Sequence, residues 1–278
     1  MTRAWNPAVV GRPGKGEAME RAVATFRFHG QLNELLPREQ RDRDIVYRCA
    51  RAATVKNAIE ALGVPHTEVG VILVNGEPAN LAWPMRDGDR VVVYPCLACG
   101  DGRVLDGASE RPLPDARFVA DAHLGGLARL LRMLGFDTVF RNDIADEDIA
   151  RLAGEEGRAV LSRDRELLKR RGIVHGCYLH ALRPEEQLRE VVKRFGLAAY
   201  ARPFTRCLHC NLPLQVVDKA AVLPNLPPKV AALHERFMTC PGCARIFWKG
   251  SHWTRMREML ATLLSPGECA GNDESRPP

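Results

Sequence analysis

Four cysteines toward the C-terminus have the spacing of a metal site. Cys207 and Cys210 form one Cys-x-x-Cys pair, and Cys240 and Cys243 form a second. Four thiolates in two such pairs satisfy the tetrahedral coordination of Zn²⁺, so we predict a structural zinc site with no open catalytic position. The segment between the pairs, 211–239, is longer than the roughly 15–20 residues usual between such pairs. That length favours a zinc ribbon with a long inserted loop.

A third pair, Cys96 and Cys99, has no second pair close to it in the sequence. Such a lone pair is compatible with redox chemistry, with a metal shared with a partner chain, or with no function, and we favour the last interpretation. The chain has 9 cysteines in all. Grouped in this way, they are typical of metal or redox chemistry in a reducing compartment rather than of a disulfide framework.

Three aspartates are predicted to meet at one edge of a parallel sheet. Asp121 ends an apolar strand, Asp164 follows another, and Asp146 begins the helix before that second strand. Ligands bind at the carboxyl ends of parallel strands where the strand order reverses. Carboxylates that converge there repel one another, and Mg²⁺ or Mn²⁺, which prefer hard oxygen ligands, would relieve that repulsion. The alternative interpretation is that Asp143 and Asp146 are only helix N-caps and that Asp164 only caps the helix after it.

These aspartates lie in a segment that alternates between strand and helix patterns. The predicted strands cover 116–121, 137–140, 158–162 and 173–179, and the predicted helices cover 124–134, 146–156, 165–171 and 184–195. Repeated strand–helix–strand units predict a doubly wound parallel sheet flanked by helices, and therefore an α/β fold.

The preceding segment has a different order of elements. Strands are predicted at 22–28, 45–49, 71–74 and 90–94, with a helix at 54–62 that begins at Thr54 and ends before Gly63. This order predicts a small ubiquitin-like β-grasp (α+β) domain. The predicted organisation is a disordered leader (1–20), the β-grasp domain (21–95), a linker (96–114), the α/β core (115–200), the zinc ribbon with a closing helix (201–264) and a disordered tail (265–278).

Charge is unevenly distributed along the chain. Between Leu161 and Leu260 there are 18 Lys and Arg against 8 Asp and Glu, a balance of +10, whereas the whole chain has only +6. A basic block of this kind favours a polyanionic partner, although solvated basic faces are also common. No apolar run approaches the ~18 residues that span a bilayer, and the N-terminus has no apolar signal block, so we expect a cytoplasmic protein.

With these elements in place, the sequence resembles a known family. The residues that carry the resemblance are Phe118-Val119-Ala120-Asp121, Leu124-Gly125-x-Leu127-Ala128-Arg129, Asp146-x-x-Ile149-Ala150, Leu161-Ser162-Arg163-Asp164, the two Cys pairs and Trp248-Lys249-Gly250-Ser251-His252-Trp253. Together, over about residues 116–258, they resemble the Mut7-C domain, a branch of the PIN-like nucleases. The segment 22–95 resembles the ubiquitin-like domain often fused in front of Mut7-C.

The resemblance implies a metal-dependent ribonuclease with Asp121, Asp146 and Asp164 as its acidic set, and our leading hypothesis is an endoribonuclease. Many PIN-like nucleases have a further acidic residue, which the sequence does not assign among the candidates Asp143, Glu147 and Asp148. Ubiquitin-like sulfur carriers end in Gly-Gly, whereas Tyr94-Pro95-Cys96 follows the last strand here, so we do not expect a carrier.

Basic and aromatic residues supply the predicted RNA contacts. Arg163, Arg165, Lys169, Arg170 and Arg171 lie beside the acidic set in sequence and are candidates for phosphate binding. Trp248 and Trp253, interleaved with Lys249 and His252, are candidates for stacking on unpaired bases. The alternative is that Phe247 and Trp248 only pack the ribbon onto the core.

Two other functional classes remain open at this point. One is a catalytically idle nucleic-acid-binding or adaptor protein whose β-grasp domain docks a protein partner. The other is a redox protein that uses the Cys pairs. Metal-dependent cleavage of single-stranded RNA would distinguish the nuclease from both.

Overall fold

The N-terminal part of the chain is a mixed β-sheet with one helix packed against it. The computed structural model describes residues 21–50, 53–96, 103–104, 111–112 and 116–264. Its first elements are β1 (Arg21–Phe28), β2 (Ile45–Ala50), α1 (Val55–Ala61), β3 (Val69–Val74), β4 (Glu77–Ala79) and β5 (Arg90–Pro95). The strand order is β2-β1-β5-β3-β4, in which β1 and β5 are parallel and the other neighbours antiparallel. This is the predicted β-grasp topology.

Helix α1 shows how the local sequence sets these elements. The Thr54 hydroxyl accepts a hydrogen bond from the amide of Asn57, and the Asn57 side chain accepts one from the amide of Thr54, so the first turn is capped from both sides. Val55 and Ile59 on one face are fully buried against the sheet. Gly63, with a φ of +99°, follows the end of the helix in the left-handed region that glycine favours.

The second sheet contains four parallel strands. After the short antiparallel pair β6 (Arg103–Val104) and β7 (Arg111–Pro112), the elements are β8 (Arg117–Ala120), α2 (Gly125–Met133), β9 (Asp137–Val139), α3 (Asp146–Glu156), β10 (Ala159–Ser162), α4 (Arg165–Leu168), β11 (Gly176–Tyr178) and α5 (Pro184–Phe195). The strand order is β11-β10-β8-β9. One face packs against α2 and α5, and the other against α3 and α4. The predicted α/β class, a parallel sheet flanked by helices, is confirmed.

Two elements of this sheet region are shorter than the sequence predicts. Helix α4 ends at Leu168 rather than at residue 171, and β11 covers only Gly176–Tyr178 instead of 173–179. The chain turns after α4, where the amide of Ile173 bonds to the carbonyl of Arg170. Charged residues continue without a helix-breaking residue before Gly172, so the sequence carries no signal for the earlier end.

The C-terminal part forms a small antiparallel sheet and a long helix. Its elements are β12 (Gln215–Val217), α6 (Lys219–Val222), α7 (Pro228–Leu233), β13 (Phe237–Thr239), β14 (Ile246–Phe247) and α8 (Ser251–Leu264). The strand order is β12-β13-β14. Helix α8 begins at Ser251, earlier than the predicted Arg255, and it places Leu260 and Leu263 in the same buried cluster as α2 and α5.

Some predictions concern residues that the structure does not describe. The predicted leader (1–20), the tail (265–278) and most of the linker, including Cys99, lie outside the described residues. Within the described part of the chain, no helix has both the length and the apolar character needed to cross a membrane.

The two edges of the parallel sheet are covered by the flanking parts of the chain. At the β9 edge, the amide of Thr138 donates to Asn211 Oδ1 over 3.0 Å. At the β11 edge, the amide of Tyr178 donates to Glu68 Oε1 over 2.8 Å. Edge strands expose unpaired backbone groups. Here a side chain from the C-terminal part pairs with one edge, and a side chain from the β-grasp sheet pairs with the other.

Arg194 reinforces the contact at the β11 edge. From α5, its guanidinium donates to the carbonyl of Thr67 over 2.7 Å and to the carbonyl of Cys96, and it lies 3.8 Å from the Glu68 carboxylate. Both charged side chains are buried. Close by, His66 contacts the carbonyl of Ile173 over 2.7 Å. The β-grasp sheet is therefore joined to the core by buried polar contacts.

Replacing Arg194 by methionine should weaken this contact strongly. The change keeps a long apolar stem but leaves the buried Glu68 carboxylate without its cation, and breaking a buried pair costs about 3–5 kcal/mol. We expect the free energy of unfolding in urea to fall by about that amount. Arg189→Met makes the same chemical change at an exposed position of the same helix and is the control. Equal effects of the two changes would contradict the assigned role of Arg194.

Candidate active site and zinc site

The candidate active site lies where the order of the parallel strands reverses. From β8 the chain passes to β9 on one side and then returns to β10 on the other side of β8. The reversal opens a crevice at the carboxyl ends of β8 and β10. Asp121 follows β8 directly, and Asp164 lies two residues beyond the end of β10. Topology thus brings these two aspartates to one crevice.

A buried serine joins the two aspartates. Ser162, the last residue of β10, is fully buried, and its hydroxyl donates to Asp121 Oδ2 over 2.8 Å. The same hydroxyl oxygen accepts the amide of Asp164 over 2.8 Å. Ser162 thereby fixes the Asp121 carboxylate relative to the backbone of Asp164. The sequence analysis assigned it no role, although a hydroxyl at the end of an otherwise apolar buried strand was the available signal.

Asp164 also caps a helix, as the alternative interpretation held. Its Oδ1 accepts the amides of Glu166 (2.8 Å) and Leu167 (3.4 Å) at the start of α4. The carboxylate is exposed, and Oδ2 has no hydrogen bond to a described residue. One oxygen of Asp164 is therefore fixed by the cap, while the other has no hydrogen-bond partner in the described part of the chain.

Asp146 is held by an arginine. It is the first residue of α3, and its Oδ2 lies 3.0 Å from Nη2 of Arg170. The same guanidinium pairs with Glu147 over 2.9 Å, and its hydrogen bond helps to lower the pKa of Glu147, together with a backbone hydrogen bond that is the largest cause. Neither Asp146 nor Asp143 caps α3, because Ala145 is at the cap position without a side-chain bond. Asp148 pairs instead with Arg141 and Arg151.

These contacts limit how a metal ion can be held. Among the residues that the structure describes, the four C-terminal cysteines are the one group of three or more His, Cys, Asp or Glu whose ligand atoms all lie within 4.8 Å of one another. Asp121, Asp146 and Asp164 do not form such a group. Mg²⁺ is commonly bound by one or two carboxylates with water in its other positions. In this arrangement, an ion shared by the three aspartates would be held partly through its water molecules.

Most of the predicted phosphate contacts are engaged within the protein. Arg165 donates to the carbonyl of Leu35 in the β-grasp part over 2.7 Å, and its guanidinium lies 5.2 Å from the centre of the Tyr178 ring. Lys169 pairs with Glu166, and Arg170 with the acidic start of α3. Arg163 and Arg171 are exposed, with no ion pair to a described residue.

The two predicted stacking tryptophans differ in their surroundings. Trp253 packs against Phe204, with ring centres 5.2 Å apart, and the cations of Lys249 and Arg257 lie 5.2 and 5.1 Å from its ring centre. It therefore helps to attach α8 to the core side. Trp248 is half-buried and has no aromatic or cationic partner among the described residues. His252 is exposed at the start of α8.

The four C-terminal cysteines converge as predicted. Cys207 Sγ and Cys243 Sγ are 3.8 Å apart. Tetrahedral Zn²⁺ with Zn–S bonds of ~2.3 Å requires sulfur separations of about 3.8 Å, so the group fits zinc. Each pair lies in a tight turn that ends in a left-handed residue, Asn211 in the first and Ala244 in the second. The cluster is compatible with a structural zinc site.

The surroundings shift the pKa values of two of the clustered cysteines in opposite directions. Burial alone would raise the pKa of Cys240, but the amides of Cys243 and Gly242 and the neighbouring thiols outweigh it and bring the pKa to about 7. A hydrogen bond with the Cys243 thiol and burial raise the pKa of Cys210 to about 12. Zinc requires thiolates, so binding must release protons.

The first cysteine turn is fixed to the core independently of metal. Arg132 of α2 donates to the carbonyls of Leu208 and His209 over 3.1 and 3.0 Å. Asn211 donates to Asp137 over 2.7 Å, in addition to its bond from the amide of Thr138. The second turn has no comparable side-chain bonds to the core among the described residues. The β12–β13 pairing joins the segments beside the two turns through backbone hydrogen bonds, and a metal would add a tie at the sulfurs themselves.

Two family models match adjoining parts of the chain. The model of the family described as the Mut7-C RNAse domain matches residues 116–260, and that of the Mut7-C ubiquitin domain matches residues 21–100. A curated human protein, the exonuclease mut-7 homolog, is 35% identical over 248 residues, which cover 59% of this chain but only 28% of that protein.

Two solved structures from Haloferax volcanii resemble a smaller part of the chain. Small archaeal modifier protein 1 is 22% identical and aligns over 27% of this chain and 97% of its own, with a TM-score of 0.22. The HVO 2177 protein is 23% identical and aligns over 30% of this chain and 95% of its own, with a TM-score of 0.23.

Removing zinc should loosen the second cysteine turn first. We expect chelation to abolish amide protection across about residues 215–247, because metal binding supplies folding energy to small metal sites. The first turn, 207–211, should lose less amide protection, and the amides of β8 to β11 should remain protected from exchange. Hydrogen exchange followed by mass spectrometry measures all three regions at once.

A matched pair of variants controls for chelator effects. Cys240→Ser should lower the zinc content of the purified protein, whereas Cys177→Ala, at a buried thiol outside the cluster, should leave it unchanged. Full protection of residues 215–247 after metal loss would rule out a structural site.

Proposed function

This chain belongs to the Mut7-C RNAse domain family, and from that membership we propose that it is a metal-dependent endoribonuclease. Its proposed reaction is hydrolysis of phosphodiester bonds in single-stranded RNA at the crevice between β8 and β10. The observation that carries the proposal is the placement of Asp121 and Asp164, which are joined through buried Ser162 at the strand reversal. Open α/β sheets bind their ligands at that position.

We propose Mg²⁺ or Mn²⁺ as the cofactor, held by Asp121 and Asp164. When bound, such an ion lowers the pKa of its water and neutralises negative charge on a phosphate. The chain contributes the orientation of the carboxylates: Ser162 holds Oδ2 of Asp121, and the cap of α4 holds Oδ1 of Asp164. Carboxylates fixed in this way lose little entropy when they bind an ion.

Asp146 is proposed to act through Arg170 rather than as a direct ligand. The Asp146 carboxylate and Glu147 together anchor the guanidinium of Arg170, which follows α4. Asp164 caps the start of that same short helix. Asp146 thereby becomes a positioning residue for the loop that carries Asp164. Exposed Arg163, next to Asp164, is the proposed contact for a phosphate at the crevice.

The cellular setting and a protein partner are further parts of the proposal. Cys49 and Cys177 are buried free thiols, which supports a reducing compartment such as the cytoplasm. The β-grasp sheet contacts the core through residues 66–68 and leaves Val46 on β2 68% exposed, so an exposed edge remains for a protein partner.

One set of observations favours a second candidate, a catalytically idle RNA-binding or adaptor protein. Asp164 serves as a helix cap and Asp146 is ion-paired, which are the structural roles expected of a domain without catalysis. The matched relative is an exonuclease of which this chain spans 28%, so the activity named for it need not reside in the shared part.

Cleavage of labelled RNA with Mn²⁺ tests the proposal. We expect wild-type protein to cut both linear and circular single-stranded RNA, since a circle has no end for an exonuclease. Asp121→Asn should abolish cleavage, and Asp146→Asn should slow it by about 10–100-fold, as changes to residues that orient metal ligands do.

Asp218→Asn, at an exposed aspartate of the ribbon, is the matched control and should cleave normally. Cleavage of linear RNA alone would indicate an exonuclease. RNA binding without cleavage under any divalent metal would favour the adaptor, and undiminished cleavage by Asp121→Asn would refute the proposed site.

A further inference from the structure

A cleft separates the zinc ribbon from the parallel sheet. Its volume is about 830 Å³, and it lies between the start of α2, the loop that follows β9, and the segment from β13 to the first turn of α8. Gly125 forms part of its wall and is only four residues beyond Asp121 in the same strand-to-helix turn. The cleft therefore begins beside the proposed active site and extends toward the ribbon.

The cleft has the charge of an anion-binding site. Its lining includes five arginines and two histidines but neither aspartate nor glutamate. Arg132 and Arg206 use their guanidinium groups to hold the first cysteine turn, and Arg141 pairs with Asp148. Arg129 and Arg245 are exposed and have no side-chain bond to a described residue. These two cations are available to a ligand.

Aromatic rings supply flat surfaces in the same cleft. The Phe140 ring lies against Gly125 so closely that a Cβ atom there would come within 2.8 Å of it, so the absence of a side chain at residue 125 makes room for the ring. Trp248 lines the opposite, ribbon side. The Trp253 ring is largely occupied by Phe204 and two cations. Phe140 and Trp248 are therefore the surfaces open to stacking.

We propose that this cleft binds unpaired nucleotides, with bases on Phe140 and Trp248 and phosphates at Arg129 and Arg245. Grooves that combine cations for the backbone with aromatic rings for the bases are typical of single-strand recognition. A duplex cannot present its stacked bases to such rings. The zinc ribbon thus forms one wall of the substrate-binding site, and the bound RNA continues past Gly125 to Asp121. That continuation rests on the proposed nuclease function, whereas binding in the cleft does not.

Binding is measured by fluorescence anisotropy with a labelled single-stranded RNA of about twelve nucleotides, without added Mg²⁺ or Mn²⁺. Arg129→Glu and Arg245→Glu should each weaken RNA binding by about tenfold or more. Arg129→Ala and Arg245→Ala should each reduce, by about one, the magnitude of the slope of the logarithm of the association constant against the logarithm of the salt concentration. Trp248→Leu should weaken binding by about 5-fold to 100-fold, in line with loss of one stacked base, and Trp248→Phe should restore most of it. Duplex RNA should bind weakly to every variant.

Arg189→Glu on α5, which makes the same charge change outside the cleft lining, is the control and should alter binding little. If the Arg129 and Arg245 variants bind RNA normally and Arg163→Glu binds it weakly, the proposed cleft is wrong. The RNA would then lie along the α4 side. Normal RNA cleavage by Arg129→Glu, together with weakened binding, would overturn the continuation of the bound RNA from the cleft to Asp121 and would leave both cleft binding and the nuclease intact. RNA binding that depends on the cleft residues, without any RNA cleavage, would support the proposed binding site and refute the proposed nuclease function. Equal affinity for DNA of the same sequence would show that the cleft reads bases and phosphates but not the 2′-hydroxyl.

Discussion

The free edges of a small parallel sheet are the constraint on which the rest of this structure depends. A sheet of four parallel strands leaves backbone groups on β9 and β11 without a strand partner. In this chain one amide on each edge strand donates to a side chain from another part of the sequence: Thr138 of β9 to Asn211, and Tyr178 of β11 to Glu68. An edge group buried without a partner would cost about 1–3 kcal/mol. Satisfying the edges therefore attaches the ribbon to one side of the core and the β-grasp sheet to the other.

This attachment determines which surfaces remain for function. The β-grasp part covers the β11 side, and Arg165 contributes to that contact through the carbonyl of Leu35. The ribbon covers the β9 side but stands away from the start of α2, which leaves the arginine-lined cleft. Between the two edges, the strand reversal places half-buried Asp121 and exposed Asp164 at the carboxyl ends of β8 and β10. The cleft reaches the same strand-to-helix turn as Asp121 through Gly125.

Features that depend on local pattern were predictable from the sequence, and features that depend on distant partners were not. The spacing of apolar residues was sufficient to predict the parallel sheet and helix α1. The residues that begin and end α1, Thr54 and Gly63, lie within a few positions of each other. Cysteine spacing was sufficient for the sulfur cluster. The role of Arg165 was not predictable, because its acceptor is 130 positions away in the chain. The ion pair between Asp146 and Arg170 was likewise not predictable, because the sequence suggested Arg170 as a phosphate contact.

The zinc site and the cleft are coupled by the same geometry. Arg245 and Trp248 follow the second cysteine pair directly, and that pair has no side-chain bonds to the core comparable to those that Arg132 and Asn211 give the first. The ribbon wall of the cleft is held by the β12-β13-β14 sheet and by the contact between Trp253 and Phe204, and a zinc ion at the sulfur cluster would add a further tie. The Asp121 side, in contrast, is fixed by Ser162 within the sheet. Loss of such an ion would therefore disturb the ribbon wall of the cleft more than the position of Asp121.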